Sequence, residues 1–292
     1  MGPTAIGKTS LSIKLAQHFN TDIISADSRQ FYKEMEIGTA VPTPQELALA
    51  NHHFIHHKSI EDNYNVGAFE KDAIATLNTL FKRHNTVIMV GGSGLYVDAV
   101  TKGLDYFPEV DKNIRAQLNI ELRANGLKAL QLQLKHLDLE TYNTIALDNP
   151  QRVIRALEIC NGSGAPYSSF LNKNNMKRNF NTITVGLTAD RNLIYNRINT
   201  RVDVMLAQGL LEEVKPLINK QHLNALNTVG YKELFKYFKG ECTLDFAIEE
   251  IKKNSRRYAK RQLTWFKRNK NTLWFDLNFV FNDVISSLNT KM

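Results

Sequence analysis

The chain opens on a phosphate loop. Residues Gly2-Pro3-Thr4-Ala5-Ile6-Gly7-Lys8-Thr9 satisfy the spacing G-x-x-x-x-G-K-[ST] and run directly into the helical pattern Leu11, Ile13, Leu15 and Ala16. Glycines let successive backbone N–H groups turn into one concavity, the helix that follows adds its positive end, and Lys8 adds a full charge. Thr9 is then placed to sit on a Mg2+ ion bridging phosphate oxygens. A loop of this kind needs a buried strand of about five apolar residues before it, and here only Met1 precedes Gly2. The sequence therefore predicts either a true start further upstream or a weakened sheet. The upstream start is the favoured reading, because a parallel sheet without its central strand exposes its neighbours' hydrogen-bonding groups.

Further β-branched runs follow at Asp22-Ile23-Ile24-Ser25, Thr86-Val87-Ile88-Met89-Val90 and Thr182-Ile183-Thr184-Val185-Gly186-Leu187, with helical patterns between them. This alternation predicts an α/β fold, a P-loop NTPase-like parallel sheet flanked by helices. The second run ends in Gly91-Gly92-Ser93-Gly94, again before a helical pattern, at the strand edge where such sheets bind ligands. From Pro108 the strand signal gives way to leucines at helical spacing, Leu118, Leu122, Leu127, Leu130, Leu134 and Leu137, then Val153, Ile154 and Leu157. The expected organisation is a catalytic core of residues 1–107 and 178–292, ending in long basic helices, interrupted by an all-helical insertion domain of residues 108–177.

Charge is concentrated at one place. Nine of the 37 basic residues fall between Lys252 and Lys270, a stretch without acidic residues, and the other 28 nearly balance the 29 acidic ones. Ile251, Tyr258, Trp265 and Phe266 recur there at near-helical spacing, so the segment reads as a helix with an apolar inner face and a basic outer one. Such a face suits a polyanion backbone or is simply solvated. Cys160 and Cys242 lack the spacing of a disulfide framework or a zinc site. No apolar run approaches a membrane span and no signal peptide is evident, which predicts a cytoplasmic protein, here expected as a monomer.

Which phosphate chemistry follows is left open by spacing alone. The strand Val87–Val90 ends in glycines instead of the acid that usually helps to hold Mg2+. The strand that ends in a carboxylate is Ile23-Ile24-Ser25-Ala26-Asp27, and Asp27 is suited either to hold the metal or to act as a base.

Ordered blocks run along nearly the whole chain: Gly2-Pro3-Thr4-Ala5 with Gly7-Lys8-Thr9, Ser25-Ala26-Asp27-Ser28-Arg29-Gln30 with Tyr32, Ile37-Gly38-Thr39-Ala40, His52-His53 and Gly91-Gly92-Ser93-Gly94-Leu95-Tyr96. They continue through Gln151-Arg152-Val153-Ile154-Arg155-Ala156-Leu157-Glu158, Arg197-Ile198-Asn199, Arg201-Val202-Asp203 with Met205, Gly230-Tyr231-Lys232-Glu233-Leu234 and Tyr258-Ala259-Lys260-Arg261-Gln262 with Thr264-Trp265. In these blocks and their order the sequence resembles the tRNA dimethylallyltransferases.

The resemblance implies transfer of an isopentenyl group from dimethylallyl diphosphate to N6 of adenosine 37, beside the anticodon of tRNAs that read codons beginning with U. It implies Asp27 as general base, with Thr4, Lys8, Mg2+ on Thr9, and Arg201 stabilising the departing diphosphate. Ser28, Arg29 and Gln30 would read a base drawn out of its stack, with Ser93 where the two substrates meet. Arg115, Gln151, Arg152, Val153, Ile154, Arg155, Tyr231 and Lys232 would face the tRNA, the insertion closing on the anticodon stem-loop. The chain departs from the family pattern at Ile6, Ser93 and Ala146-Leu147-Asp148-Asn149, and it lacks a zinc-finger extension, as the bacterial form does. His52-His53-Phe54-Ile55-His56-His57 reads as structural or channel-lining ahead of a metal site. Arg197 and Asp203 are expected to pair within their helix, and Trp265 and Phe266 to lie in the core. The rival readings are a nucleotide kinase, an isopentenyltransferase acting on free adenosine phosphates, and an RNA-binding protein with a vestigial loop.

Overall fold

The computed structural model describes residues 1–171 and 177–292 and divides into two compact units, Met1–Thr101 with Asn179–Met292, and Lys102–Arg178. The first unit is α/β. In chain order it runs α1 (Lys8–Phe19), β1 (Ile23–Ser25), α2 (Pro44–Leu49), β2 (His52–His53), α3 (Val66–Leu80), β3 (Ile88–Val90) and α4 (Gly94–Lys102). In the second unit lie α5 (Lys112–Leu137), α6 (Leu139–Thr144) and α7 (Pro150–Ser163). The first unit then resumes with β4 (Val185–Thr188), α8 (Arg191–Ala207), α9 (Leu210–Val214), α10 (Tyr231–Phe238), α11 (Leu244–Phe266), β5 (Leu273–Asp276) and α12 (Phe281–Asn289).

All strand pairs are parallel, in two sheets. One has the order β2-β1-β3, with Ile23 beside both His52 and Ile88, and the other pairs Val185 of β4 with Leu273 of β5. Between them, Met1 pairs by backbone with β4. Its ammonium donates to the Val185 carbonyl at 2.6 Å and its own carbonyl accepts from the Leu187 N–H at 2.9 Å. Because strand residues alternate, these groups lie on the edge of β4 away from β5, where the strand leading into a phosphate loop belongs. The sequence patterns did not announce β2 and β5: two residues carry too little periodicity, and β5 follows the basic segment where only helices were expected.

The two larger of its three apolar clusters span most of the unit. The first gathers Ile24, Phe31, Phe69, Leu80, Leu226 and Tyr231, and the second gathers Ile6, Leu11, Leu187, Ile194, Ile198 and Val284. Helix α11 reaches both, placing Ile251 in the first and Ala259 in the second. Its apolar stripe is buried as its spacing predicts, Phe266 at 2% exposure, while the Trp265 indole N–H donates to Asp98 at 2.9 Å. Its basic face is not uniformly free: Lys252 pairs with Asp203 at 2.8 Å and Lys253 pairs with Glu250, whereas Arg257, Lys260, Arg261, Lys267, Arg268 and Lys270 are exposed.

The second unit is helical among its described residues. Leu118, Leu130 and Leu134 of α5 close on Val153, Ile154 and Leu157 of α7, and Gly126 (φ 75°) breaks α5 in two. Helix α7 starts on Asn149, whose side chain accepts from the Gln151 and Arg152 amides, with Pro150 next, the composition of a well-capped N-terminus. No helix among the described residues is long and apolar enough to cross a membrane.

Candidate active site

A cavity of about 360 Å3 opens in the first unit. Thr4 of the phosphate loop, Asp27, Ser28 and Arg29 after β1, and Arg201 of α8 contribute polar wall, while Ile198, Val202, Met205, Leu210, Val229 and Ile251 contribute apolar wall. The loop takes its shape from the residues that the motif requires. Gly2 (φ 151°) and Gly7 (φ 96°) stand at positive φ, and a Cβ on Gly2 would meet the Leu187 carbonyl at 2.7 Å. Ala5 is also left-handed, at φ 62°, a conformation that costs an ordinary residue on the order of 1 kcal/mol. Arg197 braces it by donating to its carbonyl at 2.7 Å.

Positive charge converges on this loop. The Lys8 ammonium donates to the Pro3 carbonyl at 2.7 Å and the Arg201 guanidinium to the Thr4 hydroxyl at 3.4 Å. Among the described residues neither cation has a carboxylate within ion-pair distance. Burial pulls the Lys8 pKa down to about 8, with Arg201 reinforcing the shift and Asp27 opposing it. Burial also lowers Arg201. Two desolvated cations without a counter-ion are a site built for an anion that brings the missing charge.

Asp27 stands at the end of β1 with one oxygen accepting from the Arg29 amide at 3.2 Å. Beside it, the Ser93 hydroxyl accepts from the Ser28 amide and donates to the Ser28 hydroxyl, both at 3.0 Å. A residue that received no separate role from the sequence joins this corner to the phosphate loop. Gln262 of α11, only 5% exposed, accepts from the Thr4 amide and donates to the Gly92 carbonyl, both at 2.8 Å. The Thr4 amide is therefore committed inward and is not among the donors offered to a ligand.

The family model for IPP transferase matches residues 30–269. The chain belongs to the IPP transferase family. Among relatives of this family, the tRNA dimethylallyltransferase of Flavobacterium johnsoniae is 58% identical over 98% of this chain and 94% of its own length, and that of Christiangramia forsetii is 58% identical over 99% and 97%. The crystal structure of a tRNA isopentenylpyrophosphate transferase from Bacillus halodurans superposes with a TM-score of 0.72 at 37% identity, covering 99% of this chain and 92% of that one. A eukaryotic dimethylallyltransferase captured acting on tRNA gives a TM-score of 0.78 at 28% identity, covering 94% of this chain and 72% of that one.

Within this IPP transferase, the residues of the family blocks divide into those that face the cavity and those that hold the scaffold. Thr4, Asp27, Ser28, Arg29, Arg201 and Lys232 line the cavity. Gln30 is turned toward the fold: both N–H groups of its amide donate, to the Thr39 and Ala40 carbonyls at 3.2 and 3.0 Å, and its oxygen accepts from Ser25 at 3.3 Å, which leaves one acceptor lone pair for a ligand. The Tyr231 ring is fully buried, with its hydroxyl donating to Glu213, and so is turned away from any RNA. Val153 and Ile154 are equally buried in the core of the helical unit, so their side chains cannot be contact residues. On the same helix Gln151 and Arg152 are exposed, and Arg155 and Arg115 both pair with the buried Glu158 carboxylate, at 2.9 and 3.0 Å. Arg115 reaches on to Gln151 at 2.9 Å.

His53 pairs with Asp22 at 2.8 Å, His57 sits among Phe31, Phe54 and Tyr64, and no cluster able to hold a metal occurs among the described residues. Arg197 and Asp203 do not pair, since six residues along a helix is not a neighbouring position; each finds its partner on another segment, Ala5 and Lys252.

Proposed function

We propose that this enzyme transfers the dimethylallyl group of dimethylallyl diphosphate to N6 of adenosine 37 in tRNAs reading UNN codons, releasing diphosphate. The observation that carries the reading is one cavity with three chemistries in its wall: a carboxylate at Asp27, cations beside the phosphate loop, and an apolar stretch, Ile198, Val202, Met205 and Leu210, sized for a branched five-carbon tail. In this reading Lys8, Arg201 and the free loop amides hold the diphosphate. The N6 lone pair, weakened by delocalisation into the ring, attacks the allylic carbon as the carbon–oxygen bond breaks, and the electron pair leaves on the diphosphate. Asp27 takes the N6 proton. Lys8 and Arg201 gain most where charge grows on the leaving oxygen, which is where a fixed donor in a dry site lowers a barrier.

Mg2+ fits this site. Among the described residues the Thr9 hydroxyl has no hydrogen-bond partner, and a magnesium ion is ordinarily held by one or two protein oxygens together with substrate phosphates and water. Thr9 would hold it, and it would neutralise diphosphate charge. The second unit, through Arg115, Gln151, Arg152 and Arg155, and the exposed residues of α11 would take the anticodon stem-loop, with Lys232 at the cavity rim and the protein working as a monomer in the cytoplasm.

The test incubates the protein and Mg2+ with unmodified tRNA carrying adenine at position 37, offering dimethylallyl diphosphate in one tube and ATP in another, and weighs the nucleosides after digestion. Isopentenyl-adenosine in the first tube alone is the expected result, reduced about a thousandfold in rate by Asp27→Asn with tRNA binding retained. ATP turnover would point to a kinase instead. Tight tRNA binding without any product would point to a non-catalytic binder.

A further inference from the structure

Two family blocks, Ile37-Gly38-Thr39-Ala40 and Gly230-Tyr231, remain without a part in the chemistry above. One carboxylate joins them. Glu213 of α9 accepts from the backbone amides of Glu36 at 2.9 Å, Ile37 at 2.6 Å and Gly38 at 2.9 Å, and from the Tyr231 hydroxyl at 2.6 Å. The Tyr231 ring then fills the space at Gly38, where an added Cβ would lie 2.6 Å from the ring. Glu213 does not line the cavity, but the segments it ties do: Gly38 and Thr39 on one side, Gly230 and Lys232 on the other.

We propose that Glu213 is a positioning residue for the acceptor base, fixing the wall made by Gly38 and Thr39 against the start of α10. The proposal rests on the transfer reaction proposed above. That the acceptor is affected, and not the diphosphate, follows from the connections. The far side of the same turn is held by Gln30, which donates to the Thr39 and Ala40 carbonyls and lies three residues after Asp27. The wall is thus continuous with the Asp27-Ser28-Arg29 corner. Lys8 and Arg201 are held instead by Pro3 and Thr4, on the phosphate loop. Three charge-assisted bonds from consecutive amides fix a turn more tightly than neutral bonds would, and a wall displaced by about 1 Å costs on the order of a hundredfold in rate.

The experiment measures steady-state transfer to an anticodon stem-loop RNA, with dimethylallyl diphosphate varied separately, for the full chain and for Glu213→Ala, Glu213→Gln and Tyr231→Phe, together with hydrogen exchange of the residue 36–38 amides. Glu213→Ala is expected to lower kcat/KM for RNA about a hundredfold, to leave KM for the diphosphate within about twofold, and to speed exchange at those three amides. Glu213→Gln keeps one acceptor oxygen but turns an NH2 group toward donors on the other side and gives up the charge, so it should recover only a small part of the loss, and Tyr231→Phe should lose least. Equal losses toward both substrates would mean a general structural role and overturn the proposal. Faster exchange with unchanged transfer would overturn it too. A wild-type chain that transfers nothing overturns the reaction and this proposal with it, whereas an active wild type with unaltered Glu213→Ala kinetics overturns this proposal alone.

Discussion

The first unit contains two glycine turns that read alike in sequence and work in opposite ways. In the phosphate loop Gly2 and Gly7 stand at positive φ, and around Gly7 a Cβ would meet nothing closer than Leu277 at 3.8 Å. Gly7 is there for the backbone's own conformation, which leaves a concavity for a ligand to fill, while Gly2 combines its positive φ with a close approach to the Leu187 carbonyl. In the turn after β3, Gly91, Gly92 and Gly94 are not at positive φ. A Cβ on Gly91 would meet the Ala26 carbonyl oxygen at 2.4 Å, one on Gly92 the Gln262 amide nitrogen at 2.3 Å, and one on Gly94 the Trp265 ring at 2.3 Å. These glycines serve close approach, and the protein itself fills the space. A Gly-rich turn at a strand's end is thus two different devices: one is an anion cradle, and the other is a joint bringing β1, β3 and α11 together beside Asp27.

Substitutions that separate conformation from contact sharpen this contrast. The largest effect belongs to Gly91→Ala, because the colliding atom is backbone and cannot swing aside; a loss of about 3 kcal/mol or more is expected in denaturant unfolding. Stability unchanged there would break the contrast. Gln262→Leu comes next. It strands the Thr4 amide, at about 1–3 kcal/mol for a buried orphan, leaves the Gly92 carbonyl only the Tyr258 hydroxyl at 3.5 Å, and is expected to lower both the midpoint of thermal unfolding and the transfer rate.

The third effect is a pH dependence confined to the cradle. Burial draws the Lys8 pKa in the free protein down to about 8, so the protonated form that binds an anion predominates below that pH, is half lost at it and is withdrawn above it. Affinity for the diphosphate is expected to fall by up to tenfold per pH unit above that point. Calorimetry in buffers of different ionisation enthalpy should register proton uptake on binding, absent in Lys8→Ala. The smallest stability effect is that of Gly7→Ala, about 1 kcal/mol for a left-handed alanine without a clash. It should weaken diphosphate binding more than it weakens the fold, the reverse of Gly91→Ala.

The phosphate loop, the strands leading to Asp27 and Gly91, and the inner stripe of α11 were legible because each has a local pattern: fixed glycines, β-branched runs, helical period. Tyr231, Val153 and Ile154 were misread toward the ligand, and the two Gln30 amide N–H groups were not seen to be spent within the fold, for one shared reason. A family block marks residues that matter without saying whether they face substrate or core. For α7 the helical period already held the answer, since Val153, Ile154 and Leu157 share the apolar stripe while Gln151, Arg152 and Arg155 fall on the other side. For Tyr231 and Gln30 nothing local could decide. Their partners, Glu213 and the carbonyls of Thr39 and Ala40, come from a distant helix and from a turn without periodicity. Strand β2 was hidden by its length, and Gln262 by lying among charges that drew attention to the outer face.

Helix α11 also has a mechanical side. Its inner stripe touches the phosphate loop through Gln262, the turn after β3 through Gln262 and Trp265, and both larger apolar clusters through Ile251 and Ala259. No strand ladder joins β3 to β4 among the described residues, so the seam between the two sheets is bridged by side chains, those of α11 and those of the cluster in which Ile88 of β3 meets Leu187 of β4. A slide of α11 along its axis would carry Gln262 with it. The Thr4 amide would feel that slide before either sheet lost a hydrogen bond.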